Sequence, residues 1–366
     1  MFKVCILPYT IEGTFMSNQP KPHLRRTVKL TAALYLLTLI AALTAINACK
    51  KSSPHSVVAT PIISNSLNDQ SETDILTIAN IQKSSVDNSV TDVMFYERQE
   101  IFNVSDATML STLQKAFSSG QRVRAITDPM AGTIKQVAIA TAQEMKAHPA
   151  LINPLPATMQ MHKIDAAMLN DEGLNNVQTI NMPAPLPGLT NVIPDLATAQ
   201  LMFTYFAQQS CNLPGPPGID QCISFQYVID GCYARAHKMS WIIMNKYHYS
   251  VQKLFSYGNL SVRANKWGGC CVRWWYHVAP LVTVNTPQGP KAYIMDPGMF
   301  DGPVPMTTWL QAQNNKGCFT AASVTSYEVE PVTAYWPNGG GGYDRDTDYS
   351  MTNGTLSSYS TLKTCP

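Results

Sequence analysis

The sequence predicts an α+β fold in two parts. In the second part, a mostly apolar helix begins at Cys232 and an aromatic-rich hairpin runs from Val272 to Asp296. Strands joined by a short turn pair in antiparallel fashion, so we expect the helix to pack on an antiparallel sheet. A smaller α+β module comes first. The Pro-rich stretch 181–188, which cannot continue a helix or donate to a sheet, predicts an exposed connector between the two parts.

The composition limits the classes of function. The chain has 366 residues, 14% of them charged, and a formal net charge of +2. This length suits one large or two modest domains. Proteins that neutralise phosphates on nucleic acid need an excess of basic residues, so this charge balance does not favour a nucleic-acid partner.

Residues 1–48 are predicted to be an export signal, because a basic patch at 25–29 precedes an unbroken apolar run from Leu30 to Ile46. The sequence ending at Cys49 resembles a bacterial lipobox, in which this cysteine is acylated and becomes the new N-terminus. We favour a cell-envelope lipoprotein precursor. A secretory signal cut at about the same place and an uncleaved membrane anchor are the alternatives. Each of them takes the rest of the chain out of the reducing cytosol, to the periplasm or the medium.

Residues 49–90 are predicted to be a tether and linker, because Ser, Asn, Asp and Thr dominate and the few apolar residues show no period. The segment 91–180 is predicted to be a small α+β module. Its candidate strands are 93–96, 100–104 and 123–126, and its candidate helices run from Asp106 to Gly120 and from Ile134 to His148. The module contains no cysteine and gathers no Cys, His and carboxylate, so we assign it no chemistry.

The cysteines are concentrated in the second part, residues 189–366. Seven of the nine lie there, and this odd number predicts one unpaired thiol in an oxidising compartment. Cys211 and Cys222 bracket a turn-rich loop and are predicted to pair. Four cysteines would form two further disulfides in an arrangement that the sequence does not decide: Cys270, Cys271, Cys318 and Cys365. Cys232 is the expected free thiol, because it alone lies at a helix start.

The position of Cys232 suits a nucleophile. Asp230 and Gly231 predict the helix start, the first as a cap for free backbone N–H groups and the second as a bend. A thiol in the first turn feels the positive end of the helix dipole, which can lower a cysteine pKa from about 8.5 to roughly 3.5–7.5. A disulfide or a packed core thiol is the alternative interpretation.

A nucleophilic thiolate needs a base. His237 lies five residues further along the same helix and is rotated away from Cys232. His248 lies in a polar turn and is predicted to be at the surface. His277 lies in an aromatic-rich strand among buried neighbours, which makes it the candidate base.

The base in turn needs an orienting group, and the predicted hairpin supplies one. Folding it about a turn between Thr286 and Pro287 sets Asp296 directly opposite His277, within hydrogen-bonding reach. A bulge in the first strand would shift this register by one residue. The candidate catalytic residues are therefore Cys232, His277 and Asp296.

Several motifs resemble those of secreted bacterial protein-glutaminases, also called protein-glutamine deamidases. The stretch Asp-Gly-Cys-Tyr-Ala-Arg-Ala-His-Lys-Met at 230–239 is similar to the active-site stretch of this family. Further motifs follow in the order and spacing of the family: Phe255–Leu260, Cys270–Val272, Tyr276–Ala279 and Ile294–Pro297. Val192–Asp195 resembles the start of the mature enzyme. The resemblance covers roughly Leu189 to Cys365 and makes 189–366 the catalytic domain.

The resemblance implies a transglutaminase-like core, related to papain-like folds, with a triad of Cys232, His277 and Asp296. It implies deamidation of protein-bound glutamine to glutamate and ammonia, through a thioester on the cysteine. It also implies a zymogen whose pro-segment, 91–180, blocks the site until a protease cleaves at the connector. The expected partners are glutamine-containing proteins or peptides and the activating protease. We expect no cofactor, no metal and no nucleic acid, a membrane contact only through a lipid on Cys49, and a monomer.

Other functions compete with deamidation. A transglutaminase would form the same acyl-enzyme but admit a lysine amine in place of water. A papain-like protease would attack the backbone, although the residues usual around its cysteine are absent. A disulfide-held surface module without enzymatic activity would need Cys232 to be paired. Metal binding is least favoured, because the adjacent Cys270 and Cys271 lack the usual ligand spacing.

Overall fold

The computed structural model describes residues 71–149, 155–156, 161–165, 167–176, 188–214, 217–263 and 265–365. These residues belong to one structural unit that contains three β-sheets. The predicted export signal, Cys49 and most of the predicted connector, 181–187, lie outside the described residues. Within the described ranges, no helix is both long enough and apolar enough to cross a membrane.

The first sheet is built from the segment before residue 140. Its strands are β1 Glu72–Leu76, β2 Ile78–Lys83, β3 Thr91–Phe95, β4 Phe102–Val104, β5 Val123–Asp128 and β6 Thr133–Ile139, in the order β1-β5-β6-β4-β3-β2. Helix α1 (Ala107–Ser119) begins where the Asp106 carboxylate accepts from the Met109 N–H, and it ends at Gly120 with a φ of 66°. Both ends agree with the prediction, because capping signals are local.

Two predictions for this first module were wrong. The range 49–90 was predicted to be a linker, yet β1 and β2 lie in its last part, where Ile75 and Ile78 are buried by pairing with β5 and β3. The range 134–148 was predicted to be one helix. It forms strand β6, whose β-branched residues favour a sheet, and then the short helix α2 (Ala142–Ala147), which begins at a Thr141 capping box.

The second sheet is antiparallel and carries the predicted helix on one face. Its strands are β8 His162–Lys163, β9 Gln252–Arg263, β10 Cys271–Thr286, β11 Gly289–Ile294, β12 Val304–Pro305 and β13 Ser323–Pro331, in the order β12-β11-β10-β9-β13-β8. Helices α3 (Leu196–Gln208) and α4 (Cys232–Lys246) pack on β10. The predicted α+β class and the helix on an antiparallel sheet are therefore confirmed.

The remaining elements close the second part. A small third sheet contains β7 Leu155–Pro156, β14 Ala334–Pro337 and β15 Gly342–Arg345, and two further helices are α5 Met306–Ala312 and α6 Ser350–Ser358. Helix α4 packs against α6 as well as β10, so eleven of its fifteen residues are buried. This burial on most sides explains why apolar residues of α4 are spread around the helix instead of forming one stripe along it.

Strands β10 and β11 form the predicted hairpin in a different register. The turn is centred one residue later than predicted, so that Thr286 faces Gly289. Continued along the hairpin, this register would set Gly298 opposite His277, and the direct pairing with Asp296 was wrong. The chain leaves the ladder before Asp296, which therefore reaches His277 from a turn.

Three disulfides hold the second part: Cys211–Cys222, Cys270–Cys365 and Cys271–Cys318. The predicted bridge is present, and the four cysteines left open form the other two. Among the described cysteines Cys232 alone is free, and it is buried. This confirms the predicted unpaired thiol.

The three bridges close loops of 95, 47 and 11 residues, which allows an internal comparison. On the chain-entropy estimate, replacing both cysteines by alanine should lower the free energy of unfolding by about 4.7, 4 and 3 kcal/mol respectively. We expect urea unfolding of the three double variants to follow this order. A larger loss for C211A/C222A than for C270A/C365A would contradict it.

Candidate active site

Cys232 is the first residue of α4, and the backbone before it has a special conformation. Gly231 precedes the helix with a φ of 82°, a left-handed value that favours glycine. A Cβ at this position would lie 3.0 Å from the Tyr359 ring. Asp230 does not cap the helix, because the N-cap residue is Gly231 and the Asp230 carboxylate is bonded to other groups. That part of the prediction was wrong.

The Asp230 carboxylate instead ties the helix start to other parts of the fold. It is completely buried and accepts from the hydroxyls of Tyr233 at 2.8 Å and Tyr359 at 2.9 Å. It also accepts from the backbone N–H of Gln99 at 3.1 Å and lies 3.2 Å from Nε of Arg98. The first module therefore contacts Asp230, which lies two residues before the start of α4.

The Cys232 thiol is buried beside the middle of β10. The backbone N–H of Val278, in this strand, favours the ionised form of the thiol. Burial raises the pKa of this thiol well above its ordinary value, and Asp230 adds to the rise, while Arg235 opposes it. In this structure the cost of burying a thiolate outweighs the helix dipole, so the lowered pKa predicted from the helix start is not found.

His277 and Asp296 form a buried pair. Nε2 of His277 lies 2.9 Å from Oδ2 of Asp296, and Nε1 of Trp309 donates to the same oxygen at 2.9 Å. The other carboxylate oxygen accepts from the Gly298 N–H at 3.1 Å. The imidazole is stacked between the rings of Trp274, at 4.4 Å, and Trp309, at 5.2 Å. Both members of the pair are thus fixed in orientation.

The electrostatics of this pair leave one imidazole nitrogen open. Burial lowers the pKa of His277, and the bond to Asp296 offsets only part of this. Burial alone would raise the pKa of Asp296, but the hydrogen bond and charge of His277 hold it below its ordinary value. A neutral ring that donates from Nε2 to an ionised carboxylate has a bare Nδ1. This Nδ1 has no hydrogen-bond partner, and it belongs to the residue next to Val278, which contacts the thiol.

His237 and His248, which the sequence did not favour as the base, have other surroundings. His237 is turned into the core, where Nδ1 lies 2.6 Å from Nζ of Lys253 and Nε2 lies 2.8 Å from the Asp346 carbonyl oxygen. Burial and Lys253 lower the pKa of His237 to about 2. His248 is exposed. The structure therefore brings Cys232, His277 and Asp296 into one buried region and leaves the other two imidazoles outside it.

Gln99 of the first module occupies the same region, and sequence reasoning missed it. Its side-chain Oε1 accepts from the backbone N–H of Cys232 at 2.9 Å, and its Nε2 donates to the Val228 carbonyl at 2.9 Å. Its own carbonyl accepts from the Trp275 N–H at 2.9 Å. One signal in the sequence could have pointed to Gln99. It is a single glutamine in the charged run from Tyr96 to Glu100, in a chain that resembles a family of enzymes acting on glutamine.

A buried group of charges surrounds Gln99. One guanidinium contacts four carboxylates, and we call this set the Arg98 cluster: Glu72, Asp74, Arg98, Glu100 and Asp230. The indole Nε1 of Trp275 donates to the Arg98 carbonyl at 2.7 Å, which fixes the same segment. Trp274 and Tyr276, the neighbours of Trp275 in β10, are fully buried core residues.

Comparisons with known proteins give one consistent family. A protein-family model described as Glutaminase matches residues 199–313. A solved mutant of pro-protein-glutaminase is 29% identical, with a TM-score of 0.60, over 79% of this chain and 93% of that chain. A solved structure of pro-protein-glutaminase is 28% identical, with a TM-score of 0.58, over 79% of this chain and 92% of that chain.

A shorter solved structure matches about half of this chain. The NMR structure of protein-glutaminase from Chryseobacterium proteolyticum is 40% identical over 48% of this chain and 92% of that chain, with a TM-score of 0.43. No match was found among curated proteins. The glutaminase model spans Cys232, His277 and Asp296, and the pro-protein matches extend beyond it into the first module. The chain belongs to the protein-glutaminase family.

Proposed function

We propose that this chain is the precursor of an enzyme that deamidates protein-bound glutamine to glutamate and releases ammonia. The observation that carries the proposal is the buried His277–Asp296 hydrogen bond beside the unpaired Cys232 at the start of α4. A thiol, an imidazole and an orienting carboxylate are the parts that nucleophilic attack on an amide requires. The family and the pro-protein relatives support the same reaction.

In the proposed reaction the bare Nδ1 of His277 takes the proton of the Cys232 thiol. The thiolate attacks the carboxamide carbon, and the backbone N–H of Cys232, which holds an amide oxygen in this structure, stabilises the developing negative charge. The imidazolium protonates the departing nitrogen, which leaves as ammonia. His277 then removes a proton from water, which hydrolyses the thioester and regenerates the thiol. Asp296 keeps the ring in the required tautomer and stabilises its charged form.

We also propose that the first module is an inhibitory pro-segment. Gln99 fills the space beside Cys232, and Trp275 and Asp230 hold its backbone there. Because β1 and β2 belong to the same sheet, the proposed pro-segment begins at Glu72 and not at residue 91. Cleavage in the connector 181–188 would then release the catalytic domain 189–366.

The proposed setting is outside the cytosol. Three disulfides in the second part suit an oxidising compartment. The export signal, the lipid on Cys49 and the monomeric state remain proposals from the sequence. The proposed partners are glutamine-containing proteins or peptides and a protease that cleaves the connector.

The first test is the nucleophile. We expect the chain, once cleaved in the connector, to release ammonia from a blocked glutamine-containing peptide without cutting the peptide and without incorporating a lysine amine. C232A and C232S should lower this release by at least about 10³-fold, because both remove the thiolate. Urea unfolding of the variants checks that the fold is kept. Ammonia release by folded C232A at the native rate would remove the proposed nucleophile, and amine incorporation would favour a transglutaminase.

The second test is the orienting carboxylate. D296N keeps the shape but can no longer hold the charged imidazole, so we expect kcat to fall by about 10³–10⁴-fold with little change in KM. W309F removes one hydrogen bond to Asp296 and keeps the stacked ring, so its loss should be much smaller. A D296N enzyme with a kcat close to that of W309F would show that Asp296 does not orient the base.

The third test is the pH dependence of the pro-segment. Burial raises the pKa of Glu72, Asp74 and Glu100, against the opposing charge of Arg98. Release separates this cluster from Asp230 and Trp274 of the second part, so we expect these acids to regain solvent and return towards their ordinary pKa. The closed state then binds their protons more tightly and loses stability as pH rises above the ordinary carboxyl range of about 4. We expect a chain cleaved in the connector to release its first module more readily as pH rises towards neutral, as measured by size-exclusion chromatography. Release that increases on acidification would contradict this sign.

A further inference from the structure

All polar groups of Gln99 are engaged. The residue lies between β3 and β4 and is completely buried. Its N–H donates to the Asp230 carboxylate, and its carbonyl accepts from the backbone N–H of Trp275. The pairing between β9 and β10 shifts register at Trp275, which leaves the Trp275 N–H free to bond Gln99. An antiparallel bridge between Glu100 and Trp274 continues this contact. The backbone of Gln99 is thus held beside β10 like a short added strand.

The contacts of the side chain distinguish an amide from a carboxylate. The oxygen faces a donor, the Cys232 N–H, whereas the nitrogen faces an acceptor, the Val228 carbonyl, both at 2.9 Å. A glutamate in the same position would set a second oxygen against the Val228 carbonyl. Two facing acceptors repel, and each loses a hydrogen bond in a buried site. The site therefore binds a carboxamide and disfavours the acid formed from it.

Resting on the function proposed above, we propose that Gln99 is an internal substrate, which the uncleaved chain converts slowly and once to glutamate. The carboxamide lies against the residue that carries the thiol, with its oxygen on the backbone N–H that would stabilise the tetrahedral intermediate. A glutamine side chain held in this way is positioned as a bound substrate would be. It belongs to the same molecule, so the reaction is unimolecular.

The chemistry balances with water as the only co-reactant. The Cys232 sulfur bonds to Cδ of Gln99 as His277 accepts the thiol proton. The C–N bond breaks, and that proton goes to the nitrogen, which leaves as ammonia. Water then adds to the thioester, the C–S bond breaks, and the thiol is restored beside a glutamate at position 99. The net change is one water consumed and one ammonia released.

The closed site makes this turnover slow. Burial raises the pKa of the Cys232 thiol, so little thiolate is present at neutral pH. A freshly made chain therefore retains Gln99, and the glutamate accumulates with time. The slow rate lets the same residue act first as an inhibitor and later as a modified site.

The product weakens the hold of the pro-segment. Glutamate at position 99 loses the hydrogen bond to Val228 and adds a carboxylate next to Asp230 and Glu100. The guanidinium of Arg98 already contacts four carboxylates, and that of Arg235 already donates to the carbonyls of Tyr227 and Asp230. A further buried negative charge without a partner is costly. Deamidation of Gln99 thus favours opening of the site.

The test follows Gln99 in the intact chain. Freshly purified full-length protein is incubated in ¹⁸O-labelled water, sampled over time, denatured and digested with trypsin. Cleavage after Arg98 and Lys115 gives a peptide that contains both Gln99 and the exposed Gln114. Fragment masses then locate the conversion. We expect ¹⁸O in a glutamate at position 99, an unchanged Gln114, and a rate that does not depend on protein concentration.

Two controls separate this inference from the proposed function. C232A should keep Gln99 unchanged over the same period, and conversion at an equal rate in C232A would overturn the inference. Part of the native sample is cleaved in the connector and assayed for ammonia release from a glutamine peptide. If that sample is active while Gln99 stays an amide in the intact chain, the inference fails and the proposed function stands. If the cleaved sample is inactive, the proposed function fails.

A pair of variants tests the consequence for the pro-segment. Q99E places the product directly in the chain, and Q99L removes both side-chain hydrogen bonds without adding a charge. We expect uncleaved Q99E to release ammonia from the peptide at least about 10-fold faster than uncleaved Q99L, because the added buried charge disfavours the closed state; a 10-fold change corresponds to ~1.4 kcal/mol. Equal rates for the two variants would show that the new charge does not open the site.

Discussion

The buried carboxylate of Asp230 connects parts of the site that lie far apart in the sequence. It accepts from Tyr233 inside α4, from Tyr359 near the end of the chain, and from the backbone of Gln99 in the first module. Burying a charge is costly unless hydrogen bonds and a partner charge offset it, and here three donors and Arg98 do so. The start of α4, where Cys232 lies, therefore depends on contacts with the first module and with Tyr359 after α6.

Local signals in the sequence predicted the central parts of the site. An odd cysteine count together with the helix start at Cys232 identified the free thiol, and a short turn-rich loop identified the Cys211–Cys222 bridge. His277 followed from its buried, aromatic strand. Asp296 was the right contact for an incorrect reason, because the hairpin turn is displaced by one residue and a turn, not a paired strand, carries the carboxylate.

Contacts between distant segments were not predictable in the same way. Gln99 and Cys232 are 133 residues apart, and no periodicity or spacing relates them. Trp309, which donates to Asp296, is a tryptophan among several until the fold places α5 beside β11. The pKa of Cys232 shows the same limit, because the helix start was visible in the sequence, whereas the burial that outweighs its dipole depends on the complete tertiary structure.

The edge of the second sheet has a consequence for the processed protein. Strand β8, from the part of the chain before the connector, covers β13 through pairs at Ser326 and Tyr327. Removing everything before Gly188 would make β13 the outermost strand, with backbone groups that had been paired now facing solvent. Unpaired edge strands can pair with the edge strands of other molecules, which starts aggregation. In the proposed processing, the segment that is removed would therefore also protect this edge from self-association until cleavage.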